Sequence, residues 1–425
     1  MNFLIFSKLL LSKTYLTFYG FAVIITLMAA PRVIGPSWRS IVTPMDMREI
    51  EGHQVHWESI VVLRSVHTAT ATQASQAVIE GFNTDEYRAL LPIYFASIIT
   101  SITESYFWGE TLSELFWWWL GTVSTFVLAK RLGCSRQVAT VAGVLTATSP
   151  LGVAHMGALG FHTASSMALP VAALIAWDAL NTQNRPPYMK ILTVGFAIFV
   201  SSVTYTYQWV LIPWLCGLTV VAHRPLHWLA TVVGGITTYV AITTVAQSVL
   251  KAGGLIARPH LNDPLAVIAD RMRPLFGVDA DQVSSFIGTL VQSLLHSVEN
   301  IFFFFHPFIV MLALFGLIRV SKLHSIWFCI SLFISIIQSA IYGLAWIGMT
   351  SFPILYISAG QGTIFLSDVC GNIFGNIFKI SYHITYIKII IIITCTLVAT
   401  FSTNIDLFGY DNFVIRWWGA WHVPH

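Results

Sequence analysis

The sequence predicts an all-α polytopic membrane protein of about eleven transmembrane helices packed as a bundle, and three observations predict it. Charged residues make up 10% of the 425 residues while 56% are hydrophobic, and mean hydropathy is +0.73. That is more apolar surface than a water-soluble globule of this size can bury. The apolar residues fall in runs of roughly 20, long enough to cross a hydrocarbon core as helices, and lack the period-two alternation of barrel strands. Lys and Arg sit mostly on alternate turns between those runs, as residues retained on one side of a bilayer do. Lipid offers no partner to a backbone N–H or C=O, so each run must close its own hydrogen bonds as a helix.

In chain order the runs are 15–34, 112–129, 137–154, 164–180, 189–206, 208–222, 228–248, 298–318, 325–349, 352–377 and 385–403. Lys8 and Lys13 precede the first run and no small-residue cleavage site follows it, so it reads as a retained helix with its N-terminus in the cytoplasm. The cytoplasmic connections then hold Lys130, Arg131 and Arg136; Arg185 and Lys190; Arg224; Arg319 and Lys322; and Lys379. Every short inside loop is basic, and the C-terminus emerges on the exoplasmic side. Residues 1–425 read as a single transmembrane domain.

Two long connections, 35–111 and 249–297, fall on the exoplasmic side. Within the first, Leu90 to Phe107 follows Asp85-Glu86-Tyr87-Arg88 and carries Pro92, Glu104 and aromatic residues, which suits a helix lying in the interface better than a twelfth span. Leu115-Phe116-Trp117-Trp118-Trp119 and Trp417-Trp418-Gly419-Ala420-Trp421 read as aromatic belts at headgroup depth.

Composition excludes several function classes. Net charge is +3 with dispersed basic residues, which does not suit nucleic acid. Cys134, Cys216, Cys329, Cys370 and Cys395 form no CxxC spacing, so neither a disulfide framework nor a metal site is assigned. His223 and His227 share a helix face beside Arg224 and Pro225, a poor metal site. No Walker loop, HExxH or GxSxG occurs, which removes cytosolic nucleotide chemistry and the common hydrolases.

The unexplained charge lies in the exoplasmic loops. Arg residues there, Arg88, Arg271 and Arg273 among them, present planar forks that fit phosphate oxygens. In Pro44-Met45-Asp46-Met47-Arg48-Glu49 the acids come roughly a dozen residues after the first run, close to the membrane face. A carboxylate there can accept a proton from an incoming hydroxyl, or serve only the first turn of a helix. His155 and His162 flank the turn Gly157 to Gly160 and are candidates for the mouth of a site. Asp368, inside the tenth run, is costly in lipid, so it should face the bundle interior or a polar cavity, with Asn372 as a bland hydrogen-bond partner.

Three segments in order, Asp85-Glu86-Tyr87-Arg88-Ala89-Leu90-Leu91-Pro92, then Leu128-Ala129-Lys130-Arg131-Leu132-Gly133, then Thr148-Ser149-Pro150, resemble the GT-C superfamily of membrane glycosyltransferases. They are similar to the "YRPLLP", "A(R/K)RLG" and "SP" features of protein mannosyltransferases and aminoarabinose transferases. The resemblance implies a polyprenyl-phosphate-linked sugar donor, an inner (plasma) membrane location in a bacterium, and a first-loop acid as catalytic base. Carried over, Asp46 is the first choice and Glu49 the second, with Arg88, Arg271 and Arg273 as phosphate contacts; His155 and His162, read from their place beside the glycine-rich turn, are assigned to substrate binding. Many relatives carry an Asp-Glu pair followed by Tyr soon after the first span, and Asp46-Met47-Arg48-Glu49 departs from that pattern.

The expected activity is transfer of a sugar from the lipid carrier to an acceptor at the exoplasmic face. No cofactor is required by any spacing, although the first-loop carboxylates offer oxygen ligands to a divalent cation. A second reading is a noncatalytic GT-C-like subunit that binds protein partners in a membrane complex. A third is a transporter of a lipid-linked solute, disfavoured because no internal repeat is evident.

Overall fold

The computed structural model describes residues 106–148, 161–182, 184–204, 225–252, 307–319, 352–378 and 384–408. It adds helical positions at 20, 95, 98–99, 102–103, 215, 217, 219, 287–288, 291–292, 294–295, 325–326, 328–330 and 332–333. The fold is all-helical, with no strand among the described residues. The longer helices are α1 (Tyr106–Arg131), α2 (Arg136–Ala147), α3 (Phe161–Asn181), α4 (Pro187–Thr204), α5 (Pro225–Ala252), α6 (Pro307–Arg319), α7 (Phe352–Phe378) and α8 (Ile384–Phe408).

Local sequence accounts for most of their boundaries. Pro187, Pro225 and Pro307 occupy the first positions of α4, α5 and α6, where a missing N–H costs nothing and the ring presets a helical φ. The Ser135 Oγ accepts from the Val138 N–H at 3.3 Å and caps the start of α2, satisfying one of its orphan donors. At the end of α1, Gly133 takes φ 82°, a conformation glycine adopts without steric penalty. The Cys134 N–H then returns to the Ala129 carbonyl at 3.0 Å and the Gly133 N–H to that of Lys130 at 3.1 Å, which closes the last turn. Lys130 Nζ donates to the Cys134 carbonyl at 2.9 Å, placing a cation at the negative pole of α1.

α1 and α2 form an antiparallel hairpin around this tight turn. At its open end the Trp118 Nε1–H donates to the Ala147 carbonyl at 2.8 Å, satisfying an acceptor that the end of α2 leaves free. α3 runs parallel to α1, because Met167 lies against Gly121 while Asp178 reaches Arg131 at 3.4 Å. α4 and α5 also advance together, with Ile191 over Gly234 and Thr238 beside Gly195. The rings of Trp177 and Trp228 meet edge to face, centroids 5.8 Å apart, so the end of α3 and the start of α5 share one end of the bundle. α7 sits centrally: Gly360 faces the Val138 carbonyl of α2, and Gly362 crosses Gly316 of α6 backbone to backbone. Trp118, Leu128, Leu145, Met167 and Tyr356 are fully buried in the shared core.

Helices replace the predicted runs 112–129, 164–180, 189–206, 228–248, 352–377 and 385–403 with boundary shifts of a few residues. α2 stops at Ala147, earlier than the predicted 154, with Pro150 ahead to disfavour a helical residue before it. The runs 15–34, 208–222 and 325–349 lie mostly outside the described residues. Phe95 packs on Phe116 of α1 with ring centroids 4.6 Å apart. The first aromatic cluster differs from a belt: Trp117 and Trp118 are buried in the core, because α2 and α3 pack against that face of α1. Among the described residues, no helix is long and apolar enough to cross a membrane.

Candidate functional site

Of the residues the sequence nominates, Asp46, Glu49, Arg88, His155, Arg271 and Arg273 lie outside the described residues. His162 is the second residue of α3, and its side chain is not described. Among the described residues, no group of three His, Cys, Asp or Glu side chains is placed to hold a metal ion.

What the described helices do assemble is a charged pair between α7 and α8. Lys388 Nζ lies 2.9 Å from Asp368 Oδ1, with side chains 31% and 23% exposed. The geometry depends on a glycine: a Cβ at Gly371 would meet Lys388 Cγ at 2.8 Å and Cε at 3.0 Å. The lysine stem therefore lies across Gly371 and reaches back one turn of α7 to the carboxylate. Asn372, the partner suggested by sequence, is exposed. Sequence reading missed Lys388, although one signal was available, a lone lysine opening the run Ile389 to Ile393.

Chemically the pair is a carboxylate and an ammonium in direct contact with limited access to water. Removing Lys388 takes away the cation that Asp368 faces, whereas removing both leaves an apolar contact. Lys388→Met alone is expected to cost about 1–3 kcal/mol of stability, and Lys388→Met with Asp368→Leu to recover most of it. Detergent-solubilised melting of the two single variants and the double variant measures this. Additive losses would mean that the pair does not interact.

A second polar contact ties α7 to the α1–α2 turn. Gln361 Nε2–H donates to Cys134 Sγ at 3.4 Å. Burial pushes the Cys134 thiol up, more than the Gln361 bond and the nearby Lys130 pull it down. The thiol therefore stays protonated at neutral pH.

The chain matches no protein-family model, no curated protein and no solved structure. One motif behind the family resemblance has a local explanation. Ala129-Lys130-Arg131-Leu132-Gly133 is the glycine-closed end of α1, with its cations at the helix terminus. Thr148, the first residue of the later motif, caps α2.

Proposed function

We propose that the chain is a polytopic membrane protein that transfers a sugar from a polyprenyl-phosphate carrier to an exoplasmic acceptor. The membrane part of this reading is supported by one observation above all, the large apolar side chains exposed along several helices. Large apolar groups face outward, Phe196 at 55% exposure and Leu314 at 56% among them, with Leu192, Val233, Ile390 and Ile393. The buried positions are rich in small residues, including Ala142, Ala172, Ala176, Ala179, Thr122 and Thr125. Water-soluble monomers rarely expose apolar surface on this scale, whereas helices in lipid approach through small residues and turn large ones outward.

Polar residues within the helices fit the same picture. Thr125, Thr146 and Thr363 are buried and donate to the carbonyls of Gly121, Ala142 and Ala359 four residues earlier at 2.9–3.0 Å. Thr193, Thr237 and Thr396 do the same on α4, α5 and α8. Such bonds satisfy hydroxyls without water. Polar residues that lower the apolarity of α1 and α7 as whole helices, such as Thr122, Ser124 and Ser367, are thus turned inward.

The transfer part rests on the acids and arginines of the exoplasmic loops and on the GT-C resemblance. Asp46 would deprotonate the acceptor hydroxyl, with Glu49 as the alternative base. Arg88, Arg271 and Arg273 would hold the leaving phosphate. The test is transfer of labelled sugar from a polyprenyl-phosphate donor in proteoliposomes carrying the purified chain. Label on the acceptor supports the reading, and absence of transfer across the common donor sugars overturns it.

A second reading, a noncatalytic subunit, is favoured by the capping role of the Lys130-Arg131-Leu132-Gly133 segment, which needs no catalytic explanation. It predicts stoichiometric co-purification with protein partners and indifference to loss of every first-loop acid.

A further inference from the structure

We propose that the seam between α7 and α8 that carries Asp368, Asn372 and Lys388 is the contact through which a second copy of this chain docks within the membrane. The proposal rests on the membrane reading above and involves none of the loop residues assigned to sugar transfer.

The seam is polar at a depth where lipid tolerates little polarity. Asp368 lies ten residues before the end of α7 at Phe378, which puts it about 15 Å in from that end along the helix axis. Lys388 sends its stem across Gly371 to that carboxylate, away from Phe378, whereas a lysine left to lipid turns its ammonium toward the nearest interface. Asn372 follows Asp368 by four residues, so the two share one face of α7. The ion pair does not cover itself. Its side chains stay 31% and 23% exposed, and Asn372 beside it is exposed as well. Two partly open charges and an amide set against acyl chains are costly. Val369, Ile373 and Ile389, each next in sequence to one of the three, are exposed and apolar, so the polar groups form a short strip on a surface otherwise suited to lipid or to another helix.

The chemistry of the strip selects its occupant. It presents one anion, one cation and an amide that both donates and accepts, and so favours neither an acidic nor a basic partner. A second copy related by a two-fold axis brings cation to anion and anion to cation, with amide against amide. The Asp368 and Lys388 charges are 2.9 Å apart and therefore at one depth, so an axis along the bilayer normal suffices. Helices in lipid associate through polar groups of this kind. Among the described helices α8 packs chiefly on α7 and leaves Ile390, Ile393 and Leu397 exposed, which keeps the approach open.

Energy transfer between donor-labelled and acceptor-labelled full-length chains, reconstituted together in phosphatidylcholine vesicles at high lipid excess, tests the contact. Wild type is expected to pair. Asp368→Asn and Lys388→Met alone should each weaken pairing about tenfold, and a mixture of the two variants should recover it to within about threefold of wild type, because each supplies the charge that the other lacks. An ion pair that serves only its own fold predicts no recovery in the mixture. Asn372→Leu, at an exposed position where folding is not at risk, should weaken pairing about threefold. Wild-type chains that insert and stay monomeric, or a mixture that pairs no better than its components, overturn the proposal. Should either charge variant fail to fold, undiminished pairing of Asn372→Leu overturns it by itself. Failure of the wild type to enter vesicles overturns the membrane reading, and this contact with it.

Discussion

Gly316→Ala and Gly362→Ala are each expected to unfold the α6–α7 half of the bundle, at a cost of about 3 kcal/mol or more. Glycine to alanine inside a helix normally stabilises by close to 1 kcal/mol, so the sign itself is diagnostic. Here a Cβ at Gly316 would collide with the Ser358 carbonyl oxygen, and one at Gly362 with that of Leu312. Ordinary carbon–oxygen contacts are roughly 3.3–3.6 Å. Neither obstacle is a side chain that can swing away, so the helices must separate by more than an ångström. Separation would loosen the fully buried Leu312 and Tyr356 together with Ala313, Leu355 and Ala359, and every lost atomic contact forfeits dispersion energy. Gly288→Ala is the matched control, since nothing lies within 4 Å of its added methyl. Melting temperature in detergent reads the outcome. Wild-type stability in Gly316→Ala would mean that α6 and α7 do not touch backbone to backbone.

The second large effect concerns chemistry. Asp46→Asn is expected to lower sugar transfer by about 10²–10⁴-fold, the usual contribution of a positioned general base. The amide keeps the size of the carboxylate and cannot take the proton of an attacking hydroxyl. Helical content and melting temperature should stay at wild-type values, which separates this result from the glycine variants. Glu49→Gln measured in parallel assigns the role: if it alone abolishes turnover, Glu49 is the base. If neither variant changes turnover, the first-loop acids have no catalytic part and the noncatalytic subunit becomes the better reading.

The helices were largely legible because their determinants are local. Three proline starts, the Ser135 cap and the glycine stop at Gly133 each act within one turn, and apolar length does the rest. The candidate sites were legible only in part. Asp368 stood out as an isolated acid in an apolar run, but its partner is Lys388 rather than Asn372. Helical spacing offers neighbours on the same helix, whereas the carboxylate meets a cation on the next. Trp117 and Trp118 suggested a belt because amphipathic rings favour an interface. Trp118 is inside with its indole N–H bonded to the end of α2, whereas the Trp117 indole N–H is buried without a hydrogen-bond partner.

By itself the sequence determined that the described part of this chain is helical, where α3, α4, α5 and α7 begin and end within a few residues, and which runs are predominantly apolar. Those properties follow from capping, proline geometry and hydrophobic run length, forces that act within a turn or along one helix. Only the tertiary structure decided that Gly316 and Gly362 mark a backbone crossing and that Lys388 spans Gly371 to reach Asp368. Each of these depends on which helix lies opposite, and that choice is set by shape and charge matching between segments far apart in the chain.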